Sequence, residues 1–149
     1  MKTKENIAIF ISIFVVGFFF VFGQGLISIF TSDKFLAATT QQTQLSIVDR
    51  VVGTGDVAFT GTRVTVNYIG YFPDGKLFDS SISRGEPFQF VLGAGQVIKG
   101  WDQGILGMRV GGKRILTIPP DVGYGNNDYG PIPGGSTIIF EVELLKVEQ

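Results

Sequence analysis

Hydrophobic and polar positions along the chain follow two different patterns. From Ile7 to Phe30 no charged residue occurs, and seven of the fourteen phenylalanines lie within that run. As a helix these residues would reach about 36 Å, enough to cross a hydrocarbon layer of about 30 Å with some tilt. A buried core helix rarely stays apolar on every face for six turns. The expectation is therefore a transmembrane anchor over residues 7–30, a short cytoplasmic tail over 1–6 and a Thr- and Gln-rich linker over 31–44. A cleaved signal peptide is the alternative, because Lys2 and Lys4 form a positive leader and Gly23-Gln24-Gly25 supplies small residues. Against cleavage, the run is longer than the usual apolar stretch of about 7–15 residues and continues through Leu26 to Phe30. Lys2 and Lys4 precede the run, whereas Lys34 is offset by Asp33. That bias places the N-terminus in the cytoplasm and the rest outside, as a single-pass membrane protein, or as a secreted one if the leader is removed.

From Leu45 onward the pattern changes to strands and tight turns. Leu45–Val52 is β-branched and stops at Gly53-Thr54-Gly55. Within Arg63–Phe72, Val64, Val66 and Tyr68 alternate with Thr65 and Asn67, the mark of a strand buried on one face. Pro73-Asp74-Gly75 is a turn in which proline presets φ and glycine supplies a positive φ. Short strands are expected around Phe78 and over Phe88–Val91, and another over Lys113–Ile118, which ends at Pro119-Pro120. The last strand puts Ile138, Phe140, Val142 and Leu144 on one face and Glu141 and Glu143 on the other. Val97, Ile98, Trp101, Ile105 and Met108 instead recur at helical spacing, with Gly107 placed to end the helix. Five to six strands with one short helix predict an α+β domain over residues 45–149, a curved antiparallel sheet packed around that helix.

Composition then narrows the chemistry. The chain has no cysteine and no histidine, which excludes disulfides, thiolate nucleophiles, His-ligated zinc and a Ser-His-Asp triad. Twelve Lys+Arg against thirteen Asp+Glu leave a net charge of -1, without the basic footprint of a nucleic-acid binder. Two glycine motifs imitate nucleotide sites. Gly53–Ala58 matches G-x-G-x-x-A, but a strand rather than a helix follows it. Gly107–Lys113 matches G-x-x-x-x-G-K, but Arg114 stands where Ser or Thr is needed and the helix precedes the strand. Both read as turns.

The ordered segments Val66–Gly70, Asp74–Ser81, Pro87–Gly93, Val97–Gly104, Tyr124-Gly125, Gly130–Pro133 and Phe140–Leu145 carry a more specific signal. Together they closely resemble the FKBP-type peptidyl-prolyl cis-trans isomerase family over roughly Gly53 to Val147. The resemblance implies an apolar cleft between sheet and helix. Positions matching Tyr68, Phe78, Asp79, Phe88, Val97, Ile98, Trp101, Tyr124, Ile132 and Phe140 would line it. It assigns Asp79, Tyr124, Ile98, Trp101 and Phe78 to catalysis, and Tyr68, Phe88, Val97, Ile132 and Phe140 to substrate binding. Trp101 would be the floor under a proline ring. The Ile98 N–H and the Tyr124 hydroxyl would bond peptide carbonyls, and Arg84 would support Asp79. By the same resemblance Asn126–Tyr129 lies in the loop overhanging the cleft, where relatives vary and often carry an apolar residue or histidine.

The implied activity is isomerisation of X-Pro bonds, assisting the folding of exported or surface proteins, with no cofactor and no metal. The implied partners are proline-containing polypeptides and macrolides of the rapamycin type, and the expected state is a monomer. Amide rotation has a barrier of about 18–20 kcal/mol and breaks no bond, so neither nucleophile nor imidazole is needed. Taken singly, Phe78, Phe88 and Phe140 would read as ordinary core. A proline-peptide docking module that tethers a partner, or a purely structural surface domain, are the non-enzymatic alternatives.

Overall fold

A computed structural model describes residues 44–149; the expected tail, anchor and most of the linker lie outside the described residues. Among the described residues no helix is long and apolar enough to cross a membrane.

Six strands form one antiparallel sheet: β1 (Ser46–Val51), β2 (Arg63–Tyr71), β3 (Leu77–Ser80), β4 (Phe88–Val91), β5 (Lys113–Ile118) and β6 (Ile138–Glu148). Their order is β1-β5-β6-β2-β3, and β4 pairs with the opening half of β2. β2 and β6 form the spine, paired from Arg63 opposite Glu148 to Tyr71 opposite Ile139 with a register shift between Thr65 and Val66. The apolar positions read from the sequence, Val64, Val66, Tyr68, Ile138, Phe140, Val142 and Leu144, are all buried, but the alternation breaks in β2 at Thr65, which is buried as well. β1 departs from that pattern, because it is an edge strand exposed at every position.

Two short helices complete the core scaffold: α1 (Ser81–Arg84) and α2 (Lys99–Gly104). α2 lies across β5 closely enough that a Cβ on Gly100 or Gly104 would fall 2.7 Å from the side chains of Ile118 and Leu116. This approach presses Trp101, between those glycines, into the core at 4% exposure. The helix is shorter than the Val97–Met108 periodicity suggests. Ile98 is extended (φ -59, ψ 149) and caps it. Beyond Gly104 the chain is captured by another segment, with the Gly107 N–H donating to Ala58 O at 2.8 Å. Ile105 and Met108 thus enter the core from a turn rather than from the helix.

The two glycine motifs discounted above pack against each other. The Gly55 N–H bonds Val110 O at 3.1 Å and the Val110 N–H bonds Asp56 O at 3.0 Å. Neither opens a helix toward a ligand. Gly75 has φ +87, as the Pro-Asp-Gly turn requires.

Candidate functional site

The edge of β2 is shared among three elements. β3 pairs with Ile69–Tyr71 and β4 with Arg63–Val66. In the gap between them the Tyr68 N–H donates to Ser81 Oγ of α1 at 2.9 Å, and Ser81 Oγ donates to Asn67 Oδ1 at 3.1 Å. A buried strand amide stays satisfied while α1 turns the chain away. Asp79 at the end of β3 and Phe88 at the start of β4 consequently flank Tyr68.

The floor of the site is aromatic. Trp101 packs edge-on to Tyr68 and to Phe140, each at 5.1 Å between ring centroids. Phe88 meets Trp101 at 5.9 Å and Tyr68 at 6.2 Å, again nearly perpendicular. Edge-to-face contacts of this kind are each worth about 0.5–1.5 kcal/mol beyond their buried area, so the rings hold each other in place. The Trp101 indole N–H is buried without a hydrogen-bond partner in the domain. An unmet donor costs about 1–3 kcal/mol, a penalty that sits directly beneath the cleft.

Above this floor opens a cleft of about 440 Å³. Tyr68, Asp79, Phe88, Val97, Ile98, Trp101, Tyr124 and Phe140 line it, joined by Gln96 and Tyr129. Eight of the ten cleft positions expected from the sequence therefore meet around one space. The other two sit behind it. Phe78 braces Phe140 at 5.5 Å and Phe72 at 5.0 Å, and Ile132 is buried at 4% beneath the Tyr129 loop. Both support the wall rather than form its surface.

The rim carries one polar network. The Tyr68 hydroxyl donates to Asp79 Oδ2 at 2.5 Å, and Arg84 donates to Asp79 Oδ1 and, at 2.7 Å, to the Tyr68 oxygen. The Ser80 N–H adds a bond to Asp79 Oδ1 at 2.8 Å. Burial alone would raise the Asp79 pKa, but the hydrogen bonds from Tyr68 and Arg84 and the charge of Arg84 hold it below the usual carboxylate value. Burial raises the Tyr68 hydroxyl, and the neighbouring Asp79 raises it further. Burial likewise raises Tyr124. All three keep their neutral-pH forms across the physiological range.

On the opposite wall, the Gly93 and Gly95 N–H groups bond the Asp102 carboxylate at 2.8 and 3.1 Å. The Val91 N–H bonds Gln96 Oε1 at 2.8 Å. These clamps present Val97 and Ile98 to the cleft. Among the described residues the Ile98 N–H and the Tyr124 hydroxyl have no hydrogen-bond partner, so both are free to meet a ligand.

Sequence reasoning passed over Gln96, and it placed Tyr129 in a loop overhanging the cleft without giving it a lining role. Gln96 falls in a glycine-rich loop without periodicity. Tyr129 stood within the segment that departs from the family pattern, and that departure was the available signal.

Comparison with known proteins agrees with this geometry. Residues 55–145 match the description of the FKBP-type peptidyl-prolyl cis-trans isomerase family. FK506-binding protein 2 of Emericella nidulans is 58% identical over 89 residues, which take in 59% of this chain and 66% of that protein. The FK506-binding protein of Neisseria meningitidis serogroup B is 53% identical over 104 residues, 69% of this chain and 95% of that one. The match thus spans just under two thirds of the fungal relative and nearly all of the bacterial one. The crystal structure of AtFKBP13 superposes with a TM-score of 0.66 at 41% identity, covering 70% of this chain and 93% of that one. On its sequence match, its sheet and its aromatic cleft alike, the chain belongs to the FKBP-type peptidyl-prolyl cis-trans isomerase family.

Proposed function

We propose that this chain is a peptidyl-prolyl cis-trans isomerase that works without covalent or metal chemistry. The observation that supports it best is the cleft itself, a rigid aromatic floor under a rim with few polar groups. A planar amide owes its barrier to charge-separated resonance, and the twisted transition state has lost that resonance. Apolar surroundings disfavour the planar form more than the twisted one, so the surface binds the transition state preferentially. A proline ring seated on Trp101 would fix one side of the bond. The Tyr124 hydroxyl and the Ile98 N–H would hold flanking carbonyls while the other side turns. Phe88, Val97 and Phe140 enclose the ring, and the Tyr68–Asp79–Arg84 network keeps the rim from collapsing onto the floor.

The same cleft would admit macrolides of the rapamycin type; relatives named as FK506-binding proteins support this. Residues 7–30 would anchor the enzyme, with the N-terminus in the cytoplasm and the isomerase domain outside as a monomer. There it would act on exported or surface proteins, whose X-Pro bonds isomerise in tens to hundreds of seconds unaided. The uncharged run from Ile7 to Phe30 and the early lysines support that placement.

The test is a protease-coupled assay on a Leu-Pro or Phe-Pro peptide with the full chain. Faster isomerisation is expected. Tight peptide binding without rate enhancement would replace the enzyme reading with a docking module. Membrane fractionation and the mass of the mature N-terminus decide between anchored and released forms.

A further inference from the structure

One ring at the mouth of the cleft has no part in the mechanism above. Tyr129 stacks on Tyr124 with centroids 4.7 Å apart and planes inclined by only 20°. The loop that carries it is tied down. The Tyr129 N–H donates to Ile132 O at 2.8 Å and the Ile132 N–H returns a bond to Tyr129 O at 2.9 Å. Ile132 itself belongs to the core. The Gly134 N–H bonds Asp128 Oδ1 at 2.8 Å, and the Gly135 N–H bonds Gly125 O at 2.9 Å.

Tyr124 is held differently. Its backbone is fixed, since the Gly123 and Gly125 N–H groups both donate to Pro120 O at 3.0 and 2.9 Å. Its ring is not fixed by polar contacts, because the hydroxyl bonds no other group among the described residues. Glycine on either side removes the flanking side chains that would otherwise confine it. The ring packs against the core, and the stacked face of Tyr129 adds confinement that the flanking glycines do not supply.

We propose that Tyr129 is a positioning residue for Tyr124, connecting the core through Ile132 to the hydroxyl that meets the substrate. The proposal rests on the isomerase reading for its kinetic consequence but not for its structural one. Tyr129 acts through the ring of Tyr124, so its contribution exists only while Tyr124 has a hydroxyl to place.

A double-mutant cycle on the full chain isolates this dependence. In the otherwise unchanged protein, Tyr129→Ala is expected to lower kcat/KM by about three- to tenfold, the scale of one aromatic pair. In a Tyr124→Phe background the same substitution should have no further effect. Tyr129→Phe, which keeps the stack, should recover the rate to within about twofold. Equal losses in both backgrounds, or no loss in either, would overturn the proposal. A second readout needs no activity: the Tyr124 ring proton resonances should shift and broaden on Tyr129→Ala and stay near their original positions on Tyr129→Phe. Unmoved resonances also overturn it. If the unsubstituted chain fails to accelerate isomerisation, the isomerase reading fails, and the resonances still decide whether Tyr129 confines Tyr124.

Discussion

Gly70 offers a direct test of whether the aromatic floor is as tightly packed as its geometry indicates. It lies on β2 opposite Phe140 on one side and Asp79 on the other. A Cβ placed there would stand 2.7 Å from Phe78 Cζ and 2.8 Å from both Phe78 Cε2 and Phe140 Cε1. Carbon atoms rest at about 3.5–4.0 Å, so each ring would have to retreat by roughly 1 Å. Phe78 is half-buried and has some room. Phe140, at 3% exposure, can retreat only toward Trp101 and Tyr68, which already sit 5.1 and 5.8 Å from it. Overpacking of this kind costs about 1–3 kcal/mol. For a domain of this size that lowers Tm by roughly 4–20 °C. Because Phe140 belongs to the floor and Phe78 braces it, kcat/KM should fall by about tenfold or more, as misplacement near 1 Å can cost a hundredfold. Thermal unfolding by circular dichroism and the protease-coupled assay measure the two effects. Gly75→Ala serves as the control: its φ of +87 strains the backbone, yet nothing lies within 4 Å of its Cβ. It should lose stability and keep its activity. If Gly70→Ala retained the parent Tm and rate, the rings would have slack, and the rigid floor on which the mechanism depends would be wrong.

Other outcomes follow from the rim and the clamps. Asp79→Asn should leave the fold intact but lower kcat/KM by about fivefold or more, since hydrogen bonds to a charged group are worth roughly 1.5–3 kcal/mol and this one is partly exposed. Full activity in the peptide assay would show that the network is only structural. Activity should be flat between about pH 6 and 9, because the nearest titrations lie outside that window: Asp79 is lowered and Tyr68 and Tyr124 are raised. A bell-shaped profile would point to a group not considered. The lowered Asp79 contributes stability above the unfolded value of about 4 that is lost as pH falls through its folded value, so acid titration of Tm should be less steep below pH 4 in Asp79→Asn. Arg114 grips Asp49 at 2.6 and 3.1 Å and donates to Gly104 O and Leu106 O at 2.8 and 3.2 Å. Arg114→Met should therefore lower stability in urea by about 1–3 kcal/mol with little change in the rate.

The sequence discloses most where burial is one-sided. β2 and β6 bury their apolar positions on one face against the helix, so these alternate and can be read directly, whereas the burial of Thr65 on the other face of β2 cannot. β1 has no buried face, and only its β-branched residues betray it. α2 reads too long because Ile105 and Met108 are core residues at helical spacing, although a bond from Gly107 to Ala58 has already diverted the chain. α1 is four residues of Ser-Ile-Ser-Arg, too short for any period to register. Of the cleft, the sequence supplies the rings. It does not tell which of them face open space: Phe78 and Ile132 look equivalent to Phe88 and Val97 until packing turns them behind the wall. The 1–44 segment remains an expectation from its hydropathy, of which only the last residue is described.

The position of Trp101 has a spectroscopic consequence. It is the only tryptophan in the chain, and it forms the floor of the cleft. All indole emission therefore comes from the place where a proline would sit, with no background from elsewhere. Ring burial calls for blue-shifted emission in the free protein, and a ligand seated on the indole face should change its intensity without any label. The same property separates two kinds of loosening. If the fluorescence transition precedes the loss of far-ultraviolet dichroism on heating, the cleft gives way while the sheet still stands. If the two coincide, the floor and the sheet melt as one body.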